Sequence, residues 1–233
     1  MIAMIDLHTH ILPGMDDGVQ SIQEAVQMLR IQAQQGIDTV ALTPHFYRNT
    51  ESIAGFLARR ETAWLALSQA VQGEVCPSMI LGAEVAWMPD ISQWPELESL
   101  CYQNTKTLLV ELPVFPWPSN VFTQLSSIEN RRGITPMIAH VDRYFHTQSR
   151  SNMHKLFAMG YPVQVSAEAV LRFSTRRRAL ELLKYCEGLL ISDCHNLETR
   201  PPVLGPAMAI VEKKLGTRMA HEIAAITTEM LQE

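Results

Sequence analysis

The sequence alternates short apolar runs with longer amphipathic stretches, and this alternation restricts the fold more than any other feature. Runs of apolar and β-branched residues, typical of strands, cover about residues 2–7, 38–42, 78–81, 107–110, 135–139, 162–165 and 189–192. Helical spacing covers about residues 22–36, 52–72, 123–131, 174–185 and 203–215, and the chain from residue 221 onward. Such alternation is typical of parallel strands joined by crossover helices, so the chain should form either an open doubly wound sheet or a closed barrel.

Polar residues at the strand ends distinguish these two arrangements. Histidines and carboxylates stand where six of the seven predicted strands stop, namely His8, His10, His45, Glu84, Glu111, His140, Asp193 and His195. An open sheet brings only the strands near its switch point to one ligand, whereas a barrel directs every strand end to one mouth. The sequence therefore predicts a seven-stranded (β/α)7 TIM-like barrel. With 233 residues, 47% of them hydrophobic, we expect one domain over residues 1–233.

The first of these strand ends has the pattern of a metal site. His8 and His10 are two residues apart on extended backbone, so both imidazoles can reach one point. Asp17 follows in the next loop and adds an oxygen ligand. Nine ligands are too many for a single ion, since a catalytic zinc uses about three protein side chains. We therefore expect two or three divalent ions, which would neutralise the carboxylates and attract an anion such as phosphate.

Charge and cysteine content exclude several classes of function. The formal net charge is −5, from 19 Lys and Arg against 24 Asp and Glu, and there is no basic tail, so nucleic acid is not an expected partner. The sequence has no apolar run of about 18 residues and no basic leader, so we expect a cytoplasmic protein without membrane insertion. The cysteines lack C-x-x-C spacing and should be packing residues in a reducing compartment; they are Cys76, Cys101, Cys186 and Cys194.

Several segments taken together resemble the polymerase and histidinol phosphatase (PHP) superfamily. They are Asp6-Leu-His-Thr-His10, Leu12-Pro-Gly-Met-Asp-Asp-Gly18, Thr43-Pro-His45, Gly82-Ala-Glu84, Glu111-Leu-Pro113, Ile138-Ala-His-Val-Asp-Arg-Tyr144, Ser192-Asp-Cys-His-Asn196 and Arg200-Pro-Pro202. The likeness is greatest to the bacterial tyrosine-protein phosphatases of the CpsB and YwqE type, which are tied to capsule and exopolysaccharide synthesis. It extends from about residue 4 to residue 233.

The resemblance implies a distorted barrel of the PHP fold and a role for each candidate ligand. A first metal would be held by His8, His10, Glu84 and Asp193, a second by the bridging Glu84 with Glu111 and His140, and a third by Asp17, His45 and His195. The metal is expected to be manganese, with zinc and iron as alternatives. Arg143 and Arg200 are similar to the family's phosphate-binding arginines, and a planar guanidinium can bind two phosphate oxygens at once.

The activity implied by the resemblance is hydrolysis of phosphotyrosine in a protein by metal-activated hydroxide. The expected partner is the phosphorylated tail of a bacterial tyrosine autokinase that controls capsule or exopolysaccharide synthesis. Tyr47, Phe115 and Trp117 are candidate substrate contacts, although the loop with Phe115 and Trp117 equally fits a proline-stiffened segment that buries its own aromatic rings.

The same residues allow other functions. A histidinol phosphatase or another small phosphomonoesterase would use the same metals, and departures from the family pattern at Val141, Asp142 and residues 166–168 leave the choice of substrate open. Cys194 and Arg200 fit C-x5-R, the loop of cysteine-dependent phosphatases, but the intervening residues contain no glycine and the cysteine stands between two proposed metal ligands. A metal-bound scaffold that docks a kinase is the non-enzymatic alternative.

Overall fold

A computed structural model describes residues 4–186 and 188–231, and within them the chain forms nine strands and eight α-helices. The strands are β1 (Met4–Thr9), β2 (Ile37–Leu42), β3 (His45–Phe46), β4 (Ser78–Leu81), β5 (Glu84–Ala86), β6 (Thr107–Glu111), β7 (Thr135–Ile138), β8 (Gln164–Ser166) and β9 (Leu189–Ile191). The helices are α1 (Ile22–Gln34), α2 (Ile53–Ala70), α3 (Val121–Arg132), α4 (Arg150–Ala158), α5 (Ala167–Leu171), α6 (Phe173–Tyr185), α7 (Leu204–Leu215) and α8 (Thr217–Glu229).

The strands form parallel sheets. Their orders are β1-β2-β4, β3-β5-β6-β7 and β8-β9, and each pair of neighbours runs parallel. Parallel bridges between Thr9 and Cys194 and between Ile138 and Val163 connect these sheets further. The parallel α/β class predicted from the alternation is confirmed.

Two of the seven predicted strands continue after a break, which accounts for the larger number of strands. Thr43 and Pro44 separate β2 from β3, and Gly82 and Ala83 separate β4 from β5. Pro44 has no N–H for a sheet hydrogen bond, and a Cβ on Gly82 would lie 3.0 Å from Thr43 Cγ2, so the two breaks pack closely against each other. Beyond them the chain resumes in register, with His45 opposite Glu84.

Several predicted boundaries shift. Residues 2 and 3 of the first predicted strand lie outside the described residues, and β1 extends to Thr9, so that His8 lies within the strand. Neither α4 nor α5 was predicted, because both are short and their apolar residues do not repeat over three turns. Among the described helices, none combines the length and the apolar character that crossing a membrane requires.

The strand residues pack into an interior that underlies the site. Leu7, Ala41, Leu109, Met137 and Leu189 come from strands of the three sheets, are at most 1% exposed, and belong to one apolar cluster. Burying a side chain of the size of Leu or Met contributes about 1.5–3 kcal/mol. The carboxyl ends of these strands are therefore anchored by a dry interior, and the polar side chains beyond them are held in place.

Candidate metal centre

The nine predicted metal ligands lie together beyond the carboxyl ends of the strands. Three groups have potential ligand atoms within 4.8 Å of one another: His8 with His10 and Glu84; His45 with Glu84 and Glu111; and His10 with Asp17, His45 and His195. The other two predicted ligands, His140 and Asp193, contact the first of these groups. Residues from seven different loops and strands thus converge on one site.

Glu84 is the centre of this cluster. Its Oε2 atom lies 3.1 Å from His8 Nε2, 3.3 Å from His10 Nε2 and 2.9 Å from His45 Nδ1, and its Oε1 atom lies 2.9 Å from His140 Nε2. Burial alone would raise the pKa of this carboxyl group, but the neighbouring imidazoles, His8 foremost, hold it well below its usual range. A single carboxylate that faces four imidazoles has the position of a bridging ligand.

Asp193 is a second carboxylate that contacts both paired histidines. Its Oδ1 atom is 3.6 Å from His8 Nε2 and 3.4 Å from His10 Nε2, and its Oδ2 atom accepts hydrogen bonds from both Arg143 Nη2 and Arg200 Nη2. The two arginines, 50 and seven residues away in sequence, therefore meet at one carboxylate beside the proposed metal ligands.

Two proposed ligands have left-handed backbone conformations. The φ angle is 27° at His140 and 54° at Asp193. Such values cost about 1–3 kcal/mol for residues other than glycine and tend to occur at functional sites. The surrounding backbone holds Asp193 in this conformation, since its N–H donates to His8 O at 3.0 Å and His10 N–H donates to Cys194 O at 2.9 Å.

The outer part of the cluster is more open. Asp17 is 69% exposed, and its Oδ1 atom lies 3.6 Å from both His45 Nε2 and His195 Nε2. Glu111 is 20% exposed and has its Oε1 atom 3.5 Å from His140 Nε2. These two carboxylates mark the side from which a substrate can approach.

The donor set fits divalent metal ions. Two of its buried atoms, His140 Nδ1 and His195 Nε2, lack a hydrogen-bond partner within the described chain, although buried polar atoms are normally satisfied. Burial alone would lower the pKa of His10, but its hydrogen bonds to neighbouring carboxylates raise it well above the usual value. The surroundings that favour a proton on this imidazole also favour a metal cation, and mixed imidazole and carboxylate sites suit first-row divalent ions.

Asp16 supports the site and was not assigned a role from the sequence. Its Oδ2 atom lies 2.7 Å from His10 Nδ1 and accepts from the His45 backbone N–H at 2.8 Å. Its hydrogen bond with His10 helps lower its pKa to about 2 against the effect of burial. A Cβ on Gly18 would lie 2.3 Å from His10 O, so only glycine lets this loop pack so closely. The adjacent acids Asp16 and Asp17 in the sequence could have indicated that both carboxylates take part in the site.

Gln164 is a second supporting residue, and no local pattern in the sequence indicated its role. Its Oε1 atom lies 2.7 Å from His8 Nδ1, across 156 residues of sequence. In the sequence it is one polar residue within a short predicted strand, a pattern that also fits an ordinary solvent-facing position.

Comparison with known proteins identifies the family. The profile described as capsular polysaccharide synthesis, CpsB/CapC, matches residues 4–232. The chain belongs to the CpsB/CapC family. It is 30% identical to the tyrosine-protein phosphatase CpsB of Streptococcus pneumoniae over 239 residues, covering 94% of each chain. It is 28% identical to the tyrosine-protein phosphatase YwqE of Bacillus subtilis (strain 168), covering 94% of this chain and 87% of that one. The resemblance inferred from the motifs is confirmed.

Solved structures show the same fold. A crystal structure from work on YwqE of Bacillus subtilis and CpsB of Streptococcus pneumoniae, described as unique metal-dependent tyrosine phosphatases, matches with a TM-score of 0.82 at 22% identity, covering 98% of this chain and 94% of that one. An organophosphorus hydrolase from Deinococcus radiodurans matches with a TM-score of 0.58 at 12% identity, covering all of this chain and 94% of that one. The CpsB/CapC fold thus extends to more distant hydrolases.

The three aromatic residues predicted to contact substrate occupy different environments in this CpsB/CapC chain. Tyr47 is 41% exposed and stacks on His45 with ring centroids 5.3 Å apart, and Phe115 is 61% exposed. Trp117 is only 8% exposed and packs against Tyr144, with centroids 5.5 Å apart. Tyr47 and Phe115 are available to a substrate, whereas the burial of Trp117 favours the alternative in which the loop buries its own aromatic ring.

Cys194 does not face the metal ligands. Its side chain is fully buried, with Gln32 Nε2 3.7 Å from its sulfur atom. Burial, together with the nearby Asp6 carboxylate, raises the pKa of this thiol well above its usual value. A nucleophilic cysteine needs the opposite, an accessible thiol with a lowered pKa.

Proposed function

We propose that this CpsB/CapC family member is a metal-dependent tyrosine-protein phosphatase. The observation that carries the proposal is the convergence of nine potential metal ligands beside two arginines that meet at Asp193. Relatives that are 28% and 30% identical over nearly the whole chain are tyrosine-protein phosphatases by name, which supports the same activity here.

The proposed architecture is a single domain with a distorted seven-stranded barrel. If β2 with β3 and β4 with β5 are each counted as one interrupted strand, the described residues contain seven strand paths. The Thr9–Cys194 bridge then connects the path of β1 with that of β9, and the Ile138–Val163 bridge connects the path of β7 with that of β8. This connectivity supports a closed barrel, with the ligand cluster at its mouth.

Two or three divalent ions would occupy the cluster, and we propose manganese, with zinc and iron as alternatives. The first would be held by His8, His10, Glu84 and Asp193, the second by Glu84, Glu111 and His140, and the third by Asp17, His45 and His195. When bound, divalent ions activate water and withdraw charge from phosphoryl oxygens. Glu84 belongs to two of the three groups of neighbouring ligand atoms and would therefore contribute to both the first and the second site.

Arg143 and Arg200 would hold the phosphoryl group. Their guanidinium groups are partly exposed, at 37% and 30%, and both are oriented by Asp193. A planar guanidinium can donate two parallel hydrogen bonds to a phosphate, which orients the phosphorus atom and stabilises charge on its oxygens. Tyrosine leaves as a phenolate with a pKa of about 10, so little help from a general acid is required.

Replacing Arg143 or Arg200 with alanine should reduce kcat/KM on a phosphotyrosine peptide by about 10²-fold, the usual effect of removing one donor to the transition state. Metal content, measured on the same samples, should stay at the wild-type level. Arg30→Ala is the matched control, because Arg30 pairs with Glu74 on the surface. Loss of metal in step with activity would show instead that the arginines serve to hold Asp193.

The proposed substrate is the phosphotyrosine-containing tail of a bacterial tyrosine kinase. An exposed Tyr47 ring beside the cluster suits an aryl group, and the net charge of −5 does not favour nucleic acid. We expect a phosphotyrosine peptide to have at least a tenfold higher kcat/KM than histidinol phosphate, and single-stranded DNA not to be cleaved. A tenfold preference for histidinol phosphate would assign the chain to a different phosphatase activity.

A further inference from the structure

Three buried groups form a hydrogen-bonded chain behind the metal ligand His8. Gln164 is fully buried in β8, with its Oε1 atom 2.7 Å from His8 Nδ1 and its Nε2 atom 3.2 Å from the Tyr102 hydroxyl oxygen. That hydroxyl group donates to Leu7 O at 2.8 Å. His8 is fully buried and Tyr102 is 2% exposed, so water does not compete for these contacts.

The backbone carbonyl at the end of this chain determines the direction of every bond. Leu7 O can only accept, so the single hydroxyl proton of Tyr102 is used there and the Tyr102 oxygen must accept from Gln164. The amide nitrogen of Gln164 therefore faces Tyr102, and its carbonyl oxygen faces His8. Because a carbonyl oxygen only accepts, the proton of the neutral His8 ring lies on Nδ1 and the lone pair lies on Nε2.

The free Nε2 atom points into the ligand cluster. It lies 3.1 Å from Glu84 Oε2 and 3.6 Å from Asp193 Oδ1. A flipped Gln164 amide would set its oxygen against the Tyr102 oxygen, whose proton is already donated to Leu7 O, and would leave these buried oxygens unpaired. The second amide proton of Gln164 also has a contact, with Met137 Sδ at 3.3 Å.

We propose that Gln164, oriented by Tyr102, is a positioning residue that fixes the tautomer and direction of His8 and thereby sets the affinity of the first metal site. His10 is oriented by the carboxylate of Asp16 at 2.7 Å, whereas His8 is oriented by a neutral amide. A neutral group fixes the ring without adding negative charge to a site that already holds several carboxylates. The inference rests on the metal centre of the proposed function.

The test compares Mn²⁺ affinity with metal-free stability in three variants. Gln164→Met keeps the length of the side chain but removes the acceptor, and it should weaken the tightest Mn²⁺ site about 10- to 100-fold, the usual effect of losing a partner of a metal-ligating histidine. Tyr102→Phe frees the amide to rotate and should weaken it about three- to tenfold. Gln164→Glu restores an acceptor and should bind within about threefold of wild type, although its buried charge lowers the stability of the metal-free protein more than Gln164→Met does.

Gln164→Glu should bind Mn²⁺ more tightly than Gln164→Met and yet be less stable without metal. These opposite orders distinguish a positioning role from a purely structural one. Affinities come from calorimetric titration of metal-free protein with Mn²⁺, and stabilities from urea unfolding of the same preparations. Wild-type affinity in Gln164→Met, or affinity losses in both Gln164 variants that follow their stability losses, would overturn the inference. If Gln164→Met does not fold, wild-type Mn²⁺ affinity in Tyr102→Phe would overturn the inference. A wild-type protein that binds Mn²⁺ but does not hydrolyse phosphotyrosine would refute the proposed function alone.

Discussion

Removal of divalent metal with excess chelator should abolish hydrolysis of a phosphotyrosine peptide, and added Mn²⁺ should restore it. The chain's own groups near the site are imidazoles, carboxylates and two arginines, and the proposed nucleophile is water activated by metal. Without metal the cluster holds buried atoms with no hydrogen-bond partner within the described residues, namely His140 Nδ1 and His195 Nε2. Initial rates measured beside elemental analysis of the same samples test the prediction.

Metal removal should also lower thermal stability. An ion that binds only the folded protein stabilises it by about 4 kcal/mol at a thousand times its dissociation constant, so the unfolding temperature should rise with added Mn²⁺. The control is the same amount of chelator already saturated with Mn²⁺, which should leave both rate and stability unchanged. Full activity in metal-free protein would contradict the metal-dependent mechanism.

Asp193→Ala and Cys194→Ala should differ by orders of magnitude although the two residues are neighbours. Asp193→Ala removes a proposed metal ligand and the carboxylate that orients Arg143 and Arg200, so we expect activity to fall by at least about 10³-fold together with metal content. Cys194→Ala removes a buried thiol that faces away from the cluster, so activity should stay within about tenfold of wild type.

Alkylation provides an independent measure of the same difference. Iodoacetamide should leave activity nearly unchanged, because burial raises the pKa of Cys194 and excludes the reagent. Cys76, which is partly exposed, is the internal control and should be modified more readily. An inactive Cys194→Ala protein that retains its full complement of metal, or a trapped phosphocysteine, would replace the metal mechanism with a thiolate mechanism.

The convergence of the proposed ligands could be predicted from the sequence because their positions depend on local rules. Side chains two residues apart on extended backbone share a face, which pairs His8 with His10. Polar residues at the ends of parallel strands must lie at one edge, which adds Glu111 and His140. Neither rule requires knowledge of which strands are neighbours, so a single sequence was sufficient.

The supporting residues depend on contacts that sequence patterns do not encode. Gln164 reaches His8 only because β8 and β1 are folded into one structure, and 156 residues separate them along the chain. The break at Pro44 was visible as a proline, but its pairing with the break at Gly82 depends on neighbouring strands. Trp117 was likewise ambiguous, since an aromatic residue in a proline-rich loop can face a substrate or the interior of its own loop.

A contact between β1 and the segment after β9, which are far apart in the sequence, determines when the site can be completed during synthesis. The Asp193 N–H donates a hydrogen bond to His8 O. The hydroxyl group of Ser192 donates to the same oxygen, and Ser192 lies 184 residues after His8 in the sequence. At about 5–20 residues per second, a ribosome needs on the order of 10 s or more to make the intervening segment. Throughout that time the nascent chain carries the paired histidines without Asp193, His195 or Arg200. The proposed catalytic arrangement is therefore available only after residue 200 has been made, and a product truncated before Asp193 would keep much of the proposed metal-binding surface and Arg143, but without the carboxylate that orients this arginine.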